Sequence, residues 1–110
     1  MIVTLTDKAH HTNEGLSMTV AIAQIARELT MTPSELERRS LEAFIERERR
    51  LVNLDIADLQ DRYGVRTARE LANRIEIKAV FSHPAWEEMI EWERLEAYLQ
   101  RLNQWQAEIN

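Results

Sequence analysis

Apolar positions recur at helical intervals along most of this chain. From Leu36 they continue through Leu41, Phe44, Ile45, Val52, Ile56, Leu59 and Tyr63, the spacing of a helix that buries one stripe. Thr32-Pro33-Ser34-Glu35 opens this run with a capping box and a proline at the first helical position. Gly64 stands where a left-handed residue closes it. One helix over residues 33–63 is therefore predicted, roughly 45 Å long at 1.5 Å per residue. So long a helix needs another helix alongside to cover its stripe.

The flanking segments divide on the same criterion. Thr67-Ala68-Arg69-Glu70 is a second capping box and starts a shorter helix through Leu71 and Ile75 toward Ala79. Val80-Phe81-Ser82 breaks the pattern, and from His83-Pro84 a further helix runs to near residue 109. Within it Ala85, Trp92, Leu99 and Gln106, with Leu95, Leu102 and Ile109, follow a seven-residue repeat that predicts a coiled-coil-like seam. On the other side, residues 17–29 carry two patterns at once. Ile22, Ile25, Ala26 and Leu29 have helical spacing, while Met18, Val20 and Ile22 alternate like a short strand. Helix is the expectation. Residues 1–16 are polar after the first five, and a mobile arm is expected there, with Ile2 to Thr6 able to form a strand if something pairs with it.

The expected organisation is thus an arm (1–16), a dimerisation region with the long helix (17–64) and a helical partner-binding region (65–110). The fold class is mainly all-α: an elongated helical hairpin or bundle, with a short N-terminal strand as the alternative for residues 17–22.

Composition supports that class and narrows the chemistry. Apolar residues make up 45% of the 110 positions, charged residues 30%, and glycine and proline occur twice each, which favours helices over a sheet. No cysteine is present, so disulfides and thiolate chemistry are excluded, as suits a reducing compartment. The apolar runs are too short to span a membrane, and the N-terminus lacks the layout of a signal peptide. The expected location is the cytoplasm. The net charge is −5, placed unevenly: residues 84–110 hold six Glu against two Arg. That acidic end suits a basic partner, or simply solubility, rather than nucleic acid.

No catalytic motif is visible: there is no Gly-rich phosphate loop, no metalloprotease His–Glu pair and no serine elbow. An enzyme is not expected, nor any cofactor. Asp7, His10, His11 and Glu14 have i,i+4 spacing but no apolar support to hold them as a metal site, and read as solvated. Ile25, Ala26, Leu29, Met31 and Leu36 have the apolar spacing of a helix-turn-helix, with Thr30 at the turn position that usually holds glycine. Its second helix would present Glu35 and Glu37, which repel phosphates, ahead of Arg38 and Arg39. Trp86, Trp92 and Trp105 gather in the last quarter of the chain, and tryptophan is enriched at binding hot spots. Covering the shorter helix of the same chain would use the rings equally well.

The segment from Met31 to Arg47, MTPSELERRSLEAFIER, resembles the second helix of ribbon-helix-helix antitoxins. Tyr63-Gly64-Val65, Glu70-Leu71 and His83-Pro84-Ala85-Trp86-Glu87 resemble small prokaryotic proteins encoded beside toxins. The resemblance implies a homodimer built through the N-terminal half. It also implies a C-terminal helix that wraps and neutralises a cognate toxin, a basic one by charge, and operator binding for autoregulation. The implied toxin contacts are Trp86, Trp92, Leu95, Leu99, Leu102 and Trp105, and the implied DNA contacts Thr19, Gln24, Arg38 and Arg39. On this reading Trp92→Ala weakens partner binding by about 2 kcal/mol or more. The strand such proteins send into the major groove carries basic or amide side chains. Here it would offer Ser17, Thr19 and Ala21, and alanine cannot make a bidentate base contact. Two further readings stand beside the antitoxin: a structural assembly module, and a DNA-binding regulator.

Overall fold

The structure, a computed structural model, describes the backbone of residues 10–110 and the side chains of residues 17–110. It is all-α, with four helices and no strand among the described residues: α1 (His10–Glu28), α2 (Pro33–Tyr63), α3 (Ala68–Glu76) and α4 (Ser82–Ile109). Residues 1–9 of the expected arm, with the Ile2–Thr6 strand and Asp7, lie outside the described residues, as do the side chains of His10, His11 and Glu14.

The helix ends follow local chemistry. At the start of α2, Glu35 N–H donates to Thr32 Oγ1 (3.1 Å) and Thr32 N–H donates to Glu35 Oε1 (3.0 Å). This reciprocal pair satisfies two amides that the helix cannot use itself. The hydrogen bond from the Thr32 backbone N–H, backed by the Thr32 hydroxyl, Arg39 and Arg38, also holds the Glu35 carboxyl below its usual range. At the far end Gly64 has φ +65° and its N–H donates to Gln60 O (2.8 Å). Thr67 and Glu70 form the second capping box and start α3. α3 stops at Glu76, short of Ala79, where Lys78 turns the chain at φ +61°. At the start of α4, His83 is extended (φ −115°, ψ 131°), as expected of a residue that precedes proline.

The strand alternative for residues 17–22 is not realised: all six lie in α1, which begins at His10, inside the expected arm. A strand needs a partner for its backbone groups, whereas a helix satisfies them internally. With no other described strand to pair with, the helical pattern prevails.

The chain forms two compact units, Met1–Leu41 and Glu42–Asn110, with the boundary inside α2. In the first unit, α1 turns into α2 at Thr30, whose φ is +61°, at the place where glycine would be unstrained. Met31 N–H donates to Ala26 O (2.8 Å), and Ala26 is fully buried.

The second unit carries two cores. Leu59, Val65, Ala68, Leu71, Ala85, Met89 and Trp92 form the first, with Ile56, Leu95 and Val80 packed against it. Ile45, Val52 and Leu102 form the second, with Tyr98, Leu99, Trp105 and Ile109 around them. Early α2 residues thus meet late α4 residues, and late α2 meets early α4: an antiparallel hairpin with α3 against its closed end. The seven-residue repeat of α4 is consumed there. Its seam faces this chain's own α2 and α3.

Candidate partner-binding surface

Of the six residues expected to touch a partner, five belong to these internal cores. Trp92 and Leu102 are fully buried, and Leu95, Leu99 and Trp105 are half-buried against the clusters. Trp105 also meets Tyr98 edge to face and carries the Arg101 guanidinium over its ring. The reason is length: an antiparallel α2 supplies a covering stripe for the whole of α4, so the apolar face is satisfied within the chain. Trp86 alone of the six stays open, at 50% exposure.

Trp86 stands at the α3–α4 elbow. Val80 plugs into the first core and anchors the connection, which leaves Phe81 (90% exposed) and Ile77 outside it. Once α4 begins, Ala85 and Met89 turn inward. Trp86 and Ile90, each one position further on, therefore form an outward i,i+4 ridge. Exposed carboxylates flank the ridge. Glu87 pairs with His83 Nδ1 (2.9 Å), and Glu91 pairs with Arg94 (3.1 Å). Large apolar side chains thus stay exposed on both sides of the α3–α4 connection, at Ile77, Phe81, Trp86 and Ile90. Phe81 and Ile77 carry no helical periodicity with the later residues, which is why spacing does not single them out.

Below the elbow, Tyr63 and Arg62 at the end of α2 both donate to the Glu88 carboxylate on α4. Arg62 also pairs with Asp58 (2.7 Å). Burial and the bond to Glu88 push the Tyr63 phenol up to about 12. The Tyr63 hydroxyl and the Arg62 guanidinium hold Glu88 below its ordinary 4.5. Tyr98, donating to Glu48 (2.7 Å), is also shifted up. Tyr63 thus stays protonated and Glu88 ionised around neutral pH, so the pair ties α2 to α4 and is not poised to exchange a proton there.

This tie predicts a pH response at both ends. Ionised Glu88 contributes stability above its ordinary pKa, and that contribution is lost as pH falls below about 4.5. Protonated Tyr63 contributes fully below pH 10 and the contribution disappears as pH rises toward about 12. Tyr63→Phe is expected to cost about 1 kcal/mol at neutral pH and to flatten both limbs. Denaturant unfolding across pH, followed by circular dichroism, checks it; unchanged limbs in the variant would show that the tie contributes nothing.

The residues expected to contact DNA are divided between two helices. Thr19 and Gln24 lie on α1, five positions apart, and Arg38 and Arg39 are adjacent on α2. Five residues at about 100° each put Thr19 and Gln24 on different sides of their helix. The strand that would have aligned Thr19 with Ser17 and Ala21 is absent from this segment.

Among the described residues no group of three or more His, Cys, Asp or Glu could hold a metal ion. None of their helices is long and apolar enough to cross a membrane. No curated protein and no solved structure matches the chain. A family model does match, over residues 18–110, which takes in the later part of α1, from Met18, and the whole of α2, α3 and α4. The chain belongs to the Uncharacterized protein MJ0235 family.

Proposed function

We propose that this chain is a homodimeric, antitoxin-like binding protein of the cytoplasm that covers a basic protein partner through the α3–α4 elbow. The observation that carries the proposal is the exposure of Phe81 and Trp86, at 90% and 50%, beside the carboxylates of Glu87 and Glu91. Aromatic anchors inside an acidic rim suit a surface whose apolar pocket is ringed by Lys and Arg. The likeness of Met31 to Arg47 to antitoxin helices supports a toxin as that partner.

Co-expression with the product of the adjacent gene, affinity capture and a growth assay test this directly. Capture together with rescue from toxicity is the expected result. Trp86→Ala and Phe81→Ala are each expected to weaken the complex by about ten-fold or more while the helices persist. If both variants bind like the parent, the elbow is not the contact. If the folded chain captures nothing, a structural assembly module is the better reading.

Operator binding is a second proposal, and the α1–α2 turn favours it. A left-handed Thr30 at the turn and a buried Ala26 before it are features that a helix-turn-helix elbow would use, and they support this reading. A salt-dependent gel shift with the gene's own upstream DNA would support it. No shift at low salt would remove it.

A further inference from the structure

α2 carries a second apolar stripe that α4 does not use. Ile45, Val52 and Leu59 are buried on the α4 side, yet Phe44, Leu51 and Leu54 remain 46%, 44% and 61% exposed. Nine residues at about 100° each put Leu54 opposite Ile45, with Leu51 within about 60° of Leu54. The stripe continues in heptad spacing through Arg47, Asp58 and Asp61, all exposed. Arginine thus stands on the N-terminal side of the two leucines and aspartate on the C-terminal side.

From this pattern we infer that α2 is the homodimer face, and that a second copy of this chain docks on it in antiparallel orientation. The orientation follows from the charges. A parallel pair sets Arg47 against Arg47 and Asp58 against Asp58, two like-charge contacts. An antiparallel pair centred between Leu51 and Leu54 sets Leu51 of one copy against Leu54 of the other. The same register brings Arg47 to Asp58 on both sides of that leucine centre, so the stripe is complementary to itself, as a two-fold interface requires. Among the described residues Arg47 makes no ion pair and is available for one. Asp58 already accepts from Arg62 but keeps 69% of its side chain exposed, with acceptor capacity left for a second guanidinium. Phe44 then lies over the helix beside Asp61 at each end of the contact. All six residues belong to the second compact unit.

The inference rests on the homodimer part of the proposed function and adds its face and direction. Sedimentation of the full chain over a range of concentrations is expected to show a dimer. Leu54→Glu is expected to raise its dissociation constant by roughly a hundred-fold with unchanged helical content. The chain has no cysteine, so direction can be read by cross-linking. Under a mild oxidant, a mixture of Arg47→Cys and Asp58→Cys chains is expected to form the 47–58 disulfide, in preference to either self-pair. A chain that is monomeric at every concentration removes the dimer and this face together. A dimer that survives Leu54→Glu, or one that yields the 47–47 disulfide instead, leaves the dimer standing and overturns this face or its direction. Neither result bears on the elbow, since no variant here alters Phe81 or Trp86.

Discussion

Trp92→Ala is expected to destabilise the fold by about 3–5 kcal/mol, as a folding defect and not as a binding defect. The indole is fully buried in the first core, among Leu59, Leu71, Ala85 and Met89. Cutting it back to a methyl loses the transfer free energy of the ring and leaves a cavity where three helices meet. A small domain has about 5–15 kcal/mol in total, so this one change removes much of the margin. Trp92→Phe should behave differently. Trp92 Nε1 is buried and has no hydrogen-bond partner, an arrangement that costs about 1–3 kcal/mol. Phenylalanine keeps most of the apolar area and removes the unsatisfied donor, so its net effect is expected to stay within about 1.5 kcal/mol of zero. Chemical denaturation of both variants separates these outcomes. An Ala variant as stable as the parent, but defective in partner capture, would return Trp92 to the interface and contradict the buried placement.

The second large effect lies at the other end of the hairpin. Leu102→Ala is expected to cost about 2–5 kcal/mol. Leu102 is fully buried in the cluster it forms with Ile45 and Val52 of α2. This core has three buried members against seven in the first, so it has fewer neighbours to collapse into the void. The half-buried ring around it, Tyr98, Leu99, Trp105 and Ile109, should loosen with it. Hydrogen exchange should therefore show amides of late α4 opening more easily than those near Trp92. Uniform loss of protection along α4 would mean instead that the two cores unfold as one unit.

Much of the fold was legible in the sequence, and particular residues show why. Thr32, Glu35 and Gly64 mark the two ends of α2, and Thr67 with Glu70 marks the start of α3, because a cap is built from residues within four positions of one another. The helix start at His10 was not legible, since residues 10–15 carry no apolar side chain and so form no stripe. The candidate site was read less well. Spacing grouped Trp86 with Trp92 and Leu102, and the fold separates them: one is open, two are sealed. Spacing likewise grouped Phe44 with Ile45, one residue apart, and α4 covers only the second.

The sequence by itself determined that this protein is helical and where its helices break, because capping, propensity and proline act within a turn or two of chain. Which side of each helix reaches solvent was decided by the tertiary structure. Burial of Ile45 depends on Leu102, and burial of Leu59 on Met89 and Trp92, contacts made across about thirty to sixty residues that no local pattern encodes. Where α4 lies along α2 therefore selects what stays exposed: the Phe81–Trp86 elbow and the Leu51–Leu54 stripe. Those surfaces are what a partner, or a second copy, can reach.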